Sequence, residues 1–537
     1  MNFKMFTIMK RLKFFMLSCI FNVMSLSAGN IVRTTLGPVR GKLIHDATTN
    51  ASYYSYEGIP YAQPPVGNLR FKRPVRKQVW RKVLDATKPG RVCPQSEIFY
   101  SREQMAEDCL NLNIYVPAAR PHSLLPVYVT VHDGGFDSQS GNAEPIYGPQ
   151  LLVQQDVVVV KMNYRLGALG FLSLRNKEIP GNAGVKDVLL ALKIVQENII
   201  RFGGDPNKVT LQGMGAGAVV VQLLMLTPQS VGLFRSAILL SGSVLSPKYI
   251  QFNPRENAML LARQLGVDAS NDDCLLEKLK LVDAFEFVKA QEAIRCKDPR
   301  RGFRNNGIFK PTVEIEHAGA ILTRTPLELV RDGAIRDIPM LYGFNDKEGL
   351  EVIPQLKEEP QLIEKFNKNF ELLVPEDIDY QPGSIESSNL AKRIKDFYFD
   401  GGKITWDNIQ NYINLVSDVH YIYSIDLFIR LFKEKRSSSL YYYVLGSDTE
   451  LNWFKDVANV NYPGAAHNDD IGYVFLTAVN KPRFQNLSPQ AKFLMDNILC
   501  AHSPAHTKLF DVCIVKYIIG TIIFFKIKNV IQYCVDI

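Results

Sequence analysis

A glycine-rich turn is the first segment of this sequence whose residues could position chemistry. Gly213-Met214-Gly215-Ala216-Gly217 follows a strand-like run at 209–212 and precedes an apolar helical run at 219–226. A turn of the pattern Gly-x-Ser-x-Gly between a strand and a helix presents a nucleophilic serine. Its glycines allow the two backbones to approach closely. In this sequence Gly215 stands at the position of the serine, so the turn is present without its nucleophilic hydroxyl.

A second glycine-rich segment, His132-Asp133-Gly134-Gly135-Phe136, lies upstream and follows another strand-like run. Enzymes that carry such a turn use backbone N–H groups at this place to stabilise the oxyanion of acyl transfer. We expect the oxyanion donors to be the backbone amides of Gly134, Gly135 and Ala216. Taken alone, a glycine pair after a strand is also consistent with an ordinary turn.

Two further segments carry an acid and a base. Glu348 lies within 343–349, which follows a predicted strand, and His467 lies within a predicted loop at 464–470. The chain order of nucleophile, acid and histidine is that of hydrolases with this turn. We interpret Glu348 as the acid that orients His467. A lone Glu or His is usually a solvated surface residue, but four segments in this order favour one site. We expect neither a metal nor a cofactor.

The elements that would position these segments alternate between strands and helices. A helical pattern at 186–202 ends at the turn 203–206, and a more polar, helical region at 350–435 is typical of an insertion that covers one end of a sheet. This alternation predicts the α/β class: a large, mixed, mostly parallel central sheet flanked by helices, in a single domain from 29 to 500. The predicted strands are 127–131, 157–162, 209–212, 237–240, 338–342 and 441–445.

The sequence resembles the type-B carboxylesterase and cholinesterase family, whose members have the α/β-hydrolase fold. The similarity extends from about 31 to about 495. It implies a Ser-Glu-His triad in which Glu348 is the acid, His467 is the base and Gly215 occupies the position of the nucleophile. The motifs that carry the similarity are Glu107-Asp108-Cys109-Leu110-Asn111-Leu112-Asn113, Asn163-Tyr164-Arg165-Leu166-Gly167, Phe202-Gly203-Gly204-Asp205-Pro206 and 464–475.

The resemblance also implies covalent and ionic structure. It implies two disulfides, one between Cys93 and Cys109 and one between Cys274 and Cys296. In addition, it implies an ion pair between Glu107 and Arg165.

Four departures from the family pattern bear on function. Gly215 has no side chain, so it cannot form a covalent acyl intermediate. Asp133 replaces a glycine that is usual in the oxyanion loop, which places a carboxylate where negative charge should develop. The loop 93–109 contains no Trp, so no aromatic site for a quaternary ammonium group is predicted. The family's closing helix and strands are not recognisable after about 497.

The N-terminus predicts export. Basic residues precede an apolar run at 14–26, and small residues follow, which is typical of a signal peptide over 1–28. Seven of the eight cysteines then remain, and this odd number leaves at least one unpaired thiol in an oxidising compartment. Asn50 and Asn486 begin Asn-x-Ser triplets and are predicted glycosylation sites of an exported chain.

Charge and hydropathy limit the partners. The chain has a formal net charge of +8, but its 62 basic and 54 acidic residues are interspersed, so we expect no nucleic-acid binding. The tail 501–537 is rich in Ile, Val and Phe, yet Asp511 and Lys516 interrupt its apolar core at 509–525. Two charges within a span oppose membrane insertion, so we expect no membrane association unless this tail inserts.

Together these patterns predict a secreted, carboxylesterase-like protein without a catalytic serine. Our leading hypothesis is a non-catalytic binding or adhesion protein, similar to the esterase-like neuroligins, or a carrier of a ligand. Its partner would be another protein or an apolar small molecule. The alternative is a carboxylic ester hydrolase in which His467 and Glu348 activate a water molecule in the space of the lost serine, with activity lowered by several orders of magnitude.

Overall fold

The computed structural model describes residues 30–119, 123–269, 271–304, 307–378, 380–502 and 522–526. Two predicted segments lie outside these residues. They are the signal peptide at 1–28 and the apolar core of the tail at 509–525, except for 522–525. The domain bounds 29–500 stay a prediction.

The centre of the fold is a ten-stranded mixed sheet, and a small three-stranded sheet lies beside it. In chain order the strands are β1 (Ile31–Arg33), β2 (Pro38–Arg40), β3 (Lys42–His45), β4 (Ser52–Pro60), β5 (Leu84–Asp85), β6 (Asn111–Pro117), β7 (Leu125–Val131), β8 (Val158–Met162), β9 (Gly204–Met214), β10 (Ser236–Leu240), β11 (Met340–Asn345), β12 (Leu440–Leu445) and β13 (Ile522–Lys526). The large sheet has the order β13-β12-β11-β10-β9-β7-β8-β6-β4-β3, and the small one β1-β2-β5.

The middle of the large sheet is parallel. Strands β8, β7, β9, β10, β11 and β12 pair in parallel, and the outer strands on both sides pair antiparallel. Every residue of Val158–Met162 is buried, as expected for a strand covered on both faces. The predicted mostly parallel sheet is therefore confirmed. Because parallel strands share their carboxyl ends, the loops after β7, β9 and β11 lie at one edge of the sheet.

Helices cover both faces of this sheet. They are α1 (Gln150–Val153), α2 (Gly167–Phe171), α3 (Ala183–Asn198), α4 (Ala216–Leu226), α5 (Pro254–Gln264), α6 (Asp272–Leu281), α7 (Ala284–Lys297), α8 (Pro326–Arg331), α9 (Ile353–Glu358), α10 (Gln361–Lys368), α11 (Ile385–Phe399), α12 (Ile409–Ser417), α13 (Tyr423–Lys435), α14 (Trp453–Val457), α15 (Ile471–Val474) and α16 (Pro489–His502). All residues of α4 are buried, so this helix is part of the core. The predicted region 350–435 contains α9 to α13 and is helical, with its own apolar cluster.

The C-terminal part of the chain corrects one prediction. Residues 522–526 form β13, which pairs antiparallel with β12, with Tyr443 opposite Phe524. A closing strand is thus present within the region where the sequence pattern showed none. No helix among the described residues is long and apolar enough to span a membrane.

The cysteines confirm one implied disulfide and correct the other. Cys93 and Cys109 are joined. Cys274 and Cys296 are free thiols in the structure, so the implied bond between them is wrong there. They lie on different helices, in the first turn of α6 and near the end of α7, and the Sγ atom of Cys296 lies 3.5 Å from a carboxylate oxygen of Glu292.

The implied ion pair is also corrected. Glu107 pairs with Arg70 instead of Arg165, with Arg70 Nε donating to Glu107 Oε1 at 2.8 Å. The guanidinium of Arg165 is occupied by Asp187 of α3, which accepts from its Nε at 2.8 Å and from its Nη2 at 2.7 Å. The two predicted glycan acceptors, Asn50 and Asn486, are both exposed, and glycosylation stays a prediction.

Candidate active site

The turn between β9 and α4 has the backbone that its glycines predict. Gly215 has φ +47° and ψ −114°, and its N–H donates to the carbonyl oxygen of Leu240 at 2.8 Å. L-residues rarely adopt such a conformation, whereas glycine does so without a steric penalty. A Cβ atom at Gly217 would lie 2.2 Å from the carbonyl oxygen of Val131 on β7, which explains why only glycine fits there.

The loop after β7 forms a second tight turn beside the first. Gly134 and Gly135 have φ angles of +98° and +60°, and Phe136, at +69°, is fully buried. Amides of Asp137 and Ser138 donate back to the carbonyl oxygen of Gly134. This turn directs the side chain of the preceding residue, Asp133, toward the start of α4.

The carboxylate of Asp133 occupies the predicted oxyanion site. Its Oδ1 accepts hydrogen bonds from the backbone N–H of Ala216 at 2.7 Å and of Gly135 at 3.3 Å. Two of the three predicted oxyanion donors therefore already bind a negative charge that belongs to the protein. The amide of Gly134 does not hydrogen-bond to this carboxylate.

The same carboxylate also fills the volume of the lost serine side chain. A Cβ atom built on Gly215 would lie 2.2 Å from Asp133 Oδ1, 2.4 Å from Cγ and 2.5 Å from Oδ2. Real Cβ atoms essentially never approach other atoms that closely. Asp133 is only 3% exposed, so no open space is left beside Gly215.

Glu348 and His467 come together as predicted. Glu348 follows β11, and its Oε1 accepts from the backbone N–H of Asn345 at 2.8 Å. Its Oε2 lies 2.7 Å from His467 Nδ1. The loop of His467 is held against this turn by the side chain of Asn345, which donates to the carbonyl oxygen of Ala466 at 2.8 Å.

Asp133 contacts the second ring nitrogen of His467. His467 Nε2 lies 3.0 Å from Asp133 Oδ2, which also accepts from Asn468 Nδ2 at 2.8 Å. The ring nitrogens therefore each face a carboxylate oxygen, and an ionised carboxylate only accepts hydrogen bonds. Both nitrogens must then carry a proton, so His467 is an imidazolium held between Asp133 and Glu348.

The protonation equilibria agree with this arrangement. Burial alone would lower the pKa of His467, but hydrogen bonds to Asp133 and Glu348 outweigh it and raise that pKa from 6.5 to about 10. Burial would conversely raise the pKa of Asp133, yet the hydrogen bond and positive charge of His467, together with the Ala216 amide, hold it well below its ordinary value. Asp133 is thus a carboxylate and His467 a cation at neutral pH.

A cavity of about 280 Å³, which we call the front cavity, opens onto Asp133, His467 and Lys248. Lys248 is 3% exposed, forms an ion pair with Glu351, and lies 4.3 Å from the ring centroid of Tyr421. Sequence reasoning missed both Lys248 and Glu351, because no motif marks them. It placed Asn468 in a family motif but gave it no role. No group of acidic, histidine or cysteine side chains among the described residues could hold a metal ion.

Comparison with known proteins identifies the family of this chain. The family model described as "Carboxylesterase family" matches residues 28–499. Juvenile hormone esterase of Tribolium castaneum is 33% identical over 493 residues, which cover 87% of this chain and 82% of that protein. Venom carboxylesterase-6 of Apis mellifera is 32% identical, over 83% of this chain and 80% of its own length.

Solved structures show the same relationship. The crystal structure of juvenile hormone esterase from Manduca sexta, with OTFP covalently attached, superimposes with a TM-score of 0.77. The two are 32% identical, and the match covers 90% of each chain. This chain therefore belongs to the carboxylesterase family and has its α/β-hydrolase fold.

Proposed function

We propose that this chain is a carboxylesterase-family protein that binds ligands or partners and does not hydrolyse esters. The observation that carries the proposal is the position of the Asp133 carboxylate in the volume that a side chain at residue 215 would occupy. Acyl transfer by this family's route needs a nucleophile, a base with a free lone pair, and open oxyanion donors. Gly215 supplies no nucleophile, and Asp133 engages both the base and the donors.

The alternative, in which His467 activates water, is disfavoured by the same geometry. A general base accepts a proton at Nε2, but that nitrogen donates to Asp133 Oδ2 at 3.0 Å. Water attack would also create an oxyanion beside Asp133, whose negative charge repels it. Loss of the imidazolium proton would leave Asp133 and Glu348 as two buried carboxylates without a cation between them.

The front cavity remains as a binding site for a small molecule in such a protein. The charged groups around it, among them Lys248 and Glu351, provide polar contacts, while a protein partner would bind the outer surface. The predicted signal peptide and the Cys93–Cys109 disulfide support an extracellular location, because disulfides persist in oxidising compartments.

A covalent labelling experiment tests the proposal. The purified secreted chain is incubated with a fluorophosphonate, which phosphorylates activated serines, and its intact mass is measured. We expect no adduct. The control is the variant that carries both Gly215→Ser and Asp133→Gly, which should gain one phosphonyl group. A stoichiometric adduct on any serine of the unmodified chain would contradict the proposal.

A further inference from the structure

A second cavity lies apart from the front cavity and shares no lining residue with it. Its volume is about 460 Å³, and we call it the lateral cavity. Its walls are the segment 250–257 at the start of α5, residues 298–304, residues 308–310, residues 371–378, and residues 380–387, which reach the first turn of α11. Nothing in the ester-hydrolase architecture described above requires a pocket at this place.

Two buried polar groups face this cavity without partners. Lys310 is 3% exposed, and its ammonium group makes no hydrogen bond or ion pair with the residues that the structure describes. Gln251 is 4% exposed and its Nε2 also lacks a hydrogen-bond partner, while its Oε1 accepts from the backbone N–H of Lys310 at 3.3 Å. An unpaired buried donor is costly, so Gln251 Nε2 favours an acceptor within the cavity, and an anionic acceptor would also pair with the ammonium group of Lys310.

The other two cations of the cavity wall have carboxylate partners. Arg304 pairs with both Asp298 and Glu376. Arg300 lies 3.5 Å from the same Glu376. Lys310, the third cation of the cavity wall, forms no ion pair with the described residues. A third carboxylate in the cavity wall, that of Glu371, is engaged by Gly383, Ser387 and Ser388.

Burial and the nearby charges also affect the protonation of Lys310. Burial lowers its pKa well below the ordinary value, and the like charges of Arg304 and Lys248 lower it further. Asp137 and Asp298 act in the opposite direction but do not offset the other effects. An anion next to the ammonium group would therefore stabilise its charged form.

Two exposed aromatic side chains line the lateral cavity. Phe252 and Tyr380 are each 46% exposed, although large hydrophobic side chains are more often covered. Ile250, Ile308, Val374 and Ile378 also line the cavity. A cavity that combines apolar side chains with Lys310 and the unpaired Gln251 Nε2 suits a ligand that has an apolar part and an anionic end.

We propose that the lateral cavity binds an amphipathic carboxylate, with its carboxylate at Lys310 and Gln251 and its apolar chain against Phe252 and Tyr380. The carboxylate accepts hydrogen bonds from the ammonium group and from Gln251 Nε2, which are charge-assisted and therefore strong. The apolar chain covers the exposed aromatic rings. This site does not depend on whether the front cavity hydrolyses esters.

Isothermal titration calorimetry of the full-length secreted chain tests this site with sodium decanoate, 1-decanol and sodium acetate. We expect decanoate to bind once per chain, and acetate to bind at least about tenfold more weakly because it lacks an apolar chain. Lys310→Met should weaken decanoate binding at least about tenfold and leave decanol binding unchanged. Lys208→Met, a change at an exposed lysine on β9, is the matched control and should leave the affinity unaltered.

Other variants separate the lateral cavity from the front cavity. Lys248→Met changes the front cavity and should not weaken decanoate binding, because it removes a like charge that opposes the charged form of Lys310. Gln251→Leu removes the second donor and should weaken binding at least about threefold, which provides an independent readout if Lys310→Met does not fold. The proposal is overturned if the unmodified chain does not bind decanoate at millimolar concentration. It is equally overturned if acetate binds as tightly, or if Lys248→Met, and not Lys310→Met, removes binding.

Discussion

The carboxylate of Asp133 and a side chain at residue 215 compete for one volume, so restoring a nucleophile requires two changes. A serine Cβ would lie 2.2 Å from Asp133 Oδ1, whereas ordinary contact begins near 3.4 Å. Gly215→Ser alone therefore forces Asp133 away from Ala216 and His467. The double variant, with Asp133→Gly as well, leaves that volume free for the serine side chain and the oxyanion donors open.

Two contributions to the loss of stability in Gly215→Ser can be estimated from the structure. A non-glycine residue at φ +47° and ψ −114° costs on the order of 1–3 kcal/mol. Displacing Asp133 also breaks a buried ion pair, which costs about 3–5 kcal/mol when one partner is lost. Gly215→Ser should thus lower the free energy of unfolding by roughly 4–8 kcal/mol.

Catalysis should show the same dependence. Losing one oxyanion donor costs about 100-fold to 1000-fold in rate, and Asp133 engages the two amides of Ala216 and Gly135. We expect kcat/KM for phenyl acetate to be at least about 100-fold higher in the double variant than in Gly215→Ser. The assay compares these two with the unmodified chain and with Asp133→Gly.

A control variant tests whether the restored activity depends on His467. Adding His467→Gln to the double variant should abolish hydrolysis, because the serine then has no general base. If Gly215→Ser alone matches the double variant, Asp133 does not obstruct the site. Hydrolysis by the unmodified chain at the rate of the double variant would refute the proposed loss of activity.

Two further predictions concern ionisation and cysteines. Although burial opposes it, hydrogen bonds to Asp133 and Glu348 raise the pKa of His467 from 6.5 to about 10 in the folded chain, so this imidazolium stabilises the fold fully below pH 6.5 and loses its effect as the pH rises toward about 10. Urea unfolding between pH 6 and 10.5 should show this decline, and an equal decline in His467→Gln would contradict it. In peptide mapping without reduction, Cys93 should be linked to Cys109, whereas Cys296 should react with iodoacetamide. A linked peptide that joins Cys274 to Cys296 would contradict the structure.

The central fold was predictable because the middle strands are continuous apolar runs. Val157 to Met162 contains four consecutive valines, and a strand buried on both faces needs such a run. The last strand was not predictable, because 522–526 belongs to a longer apolar stretch with no alternation, and Gly520 alone does not show that a strand follows it. Its assignment depends on pairing with β12, which is a long-range contact.

The sequence predicted which segments form the candidate site, but it predicted only part of the arrangement of their side chains. The order of Gly215, Glu348 and His467 along the chain identified them, since parallel strands bring their following loops to one edge. The position of the Asp133 side chain depends on positive φ angles at Gly134 and Gly135, which spacing does not reveal. Lys310 and Gln251 carry no sequence signal, because their unpaired donors become visible only once the surrounding side chains are placed.

The two departures at Gly215 and Asp133 form one structural unit. Gly215 without Asp133 would leave the amide of Ala216 and the Nε2 atom of His467 buried and without their present partner. Asp133 with a serine at 215 would produce atomic overlap, because the carboxylate and the Cβ atom need the same space. Together they satisfy four donors, those of Ala216, Gly135, His467 and Asn468, with a single carboxylate. Because each change is unfavourable without the other, the pair stabilises a closed site that a serine substitution alone cannot reopen.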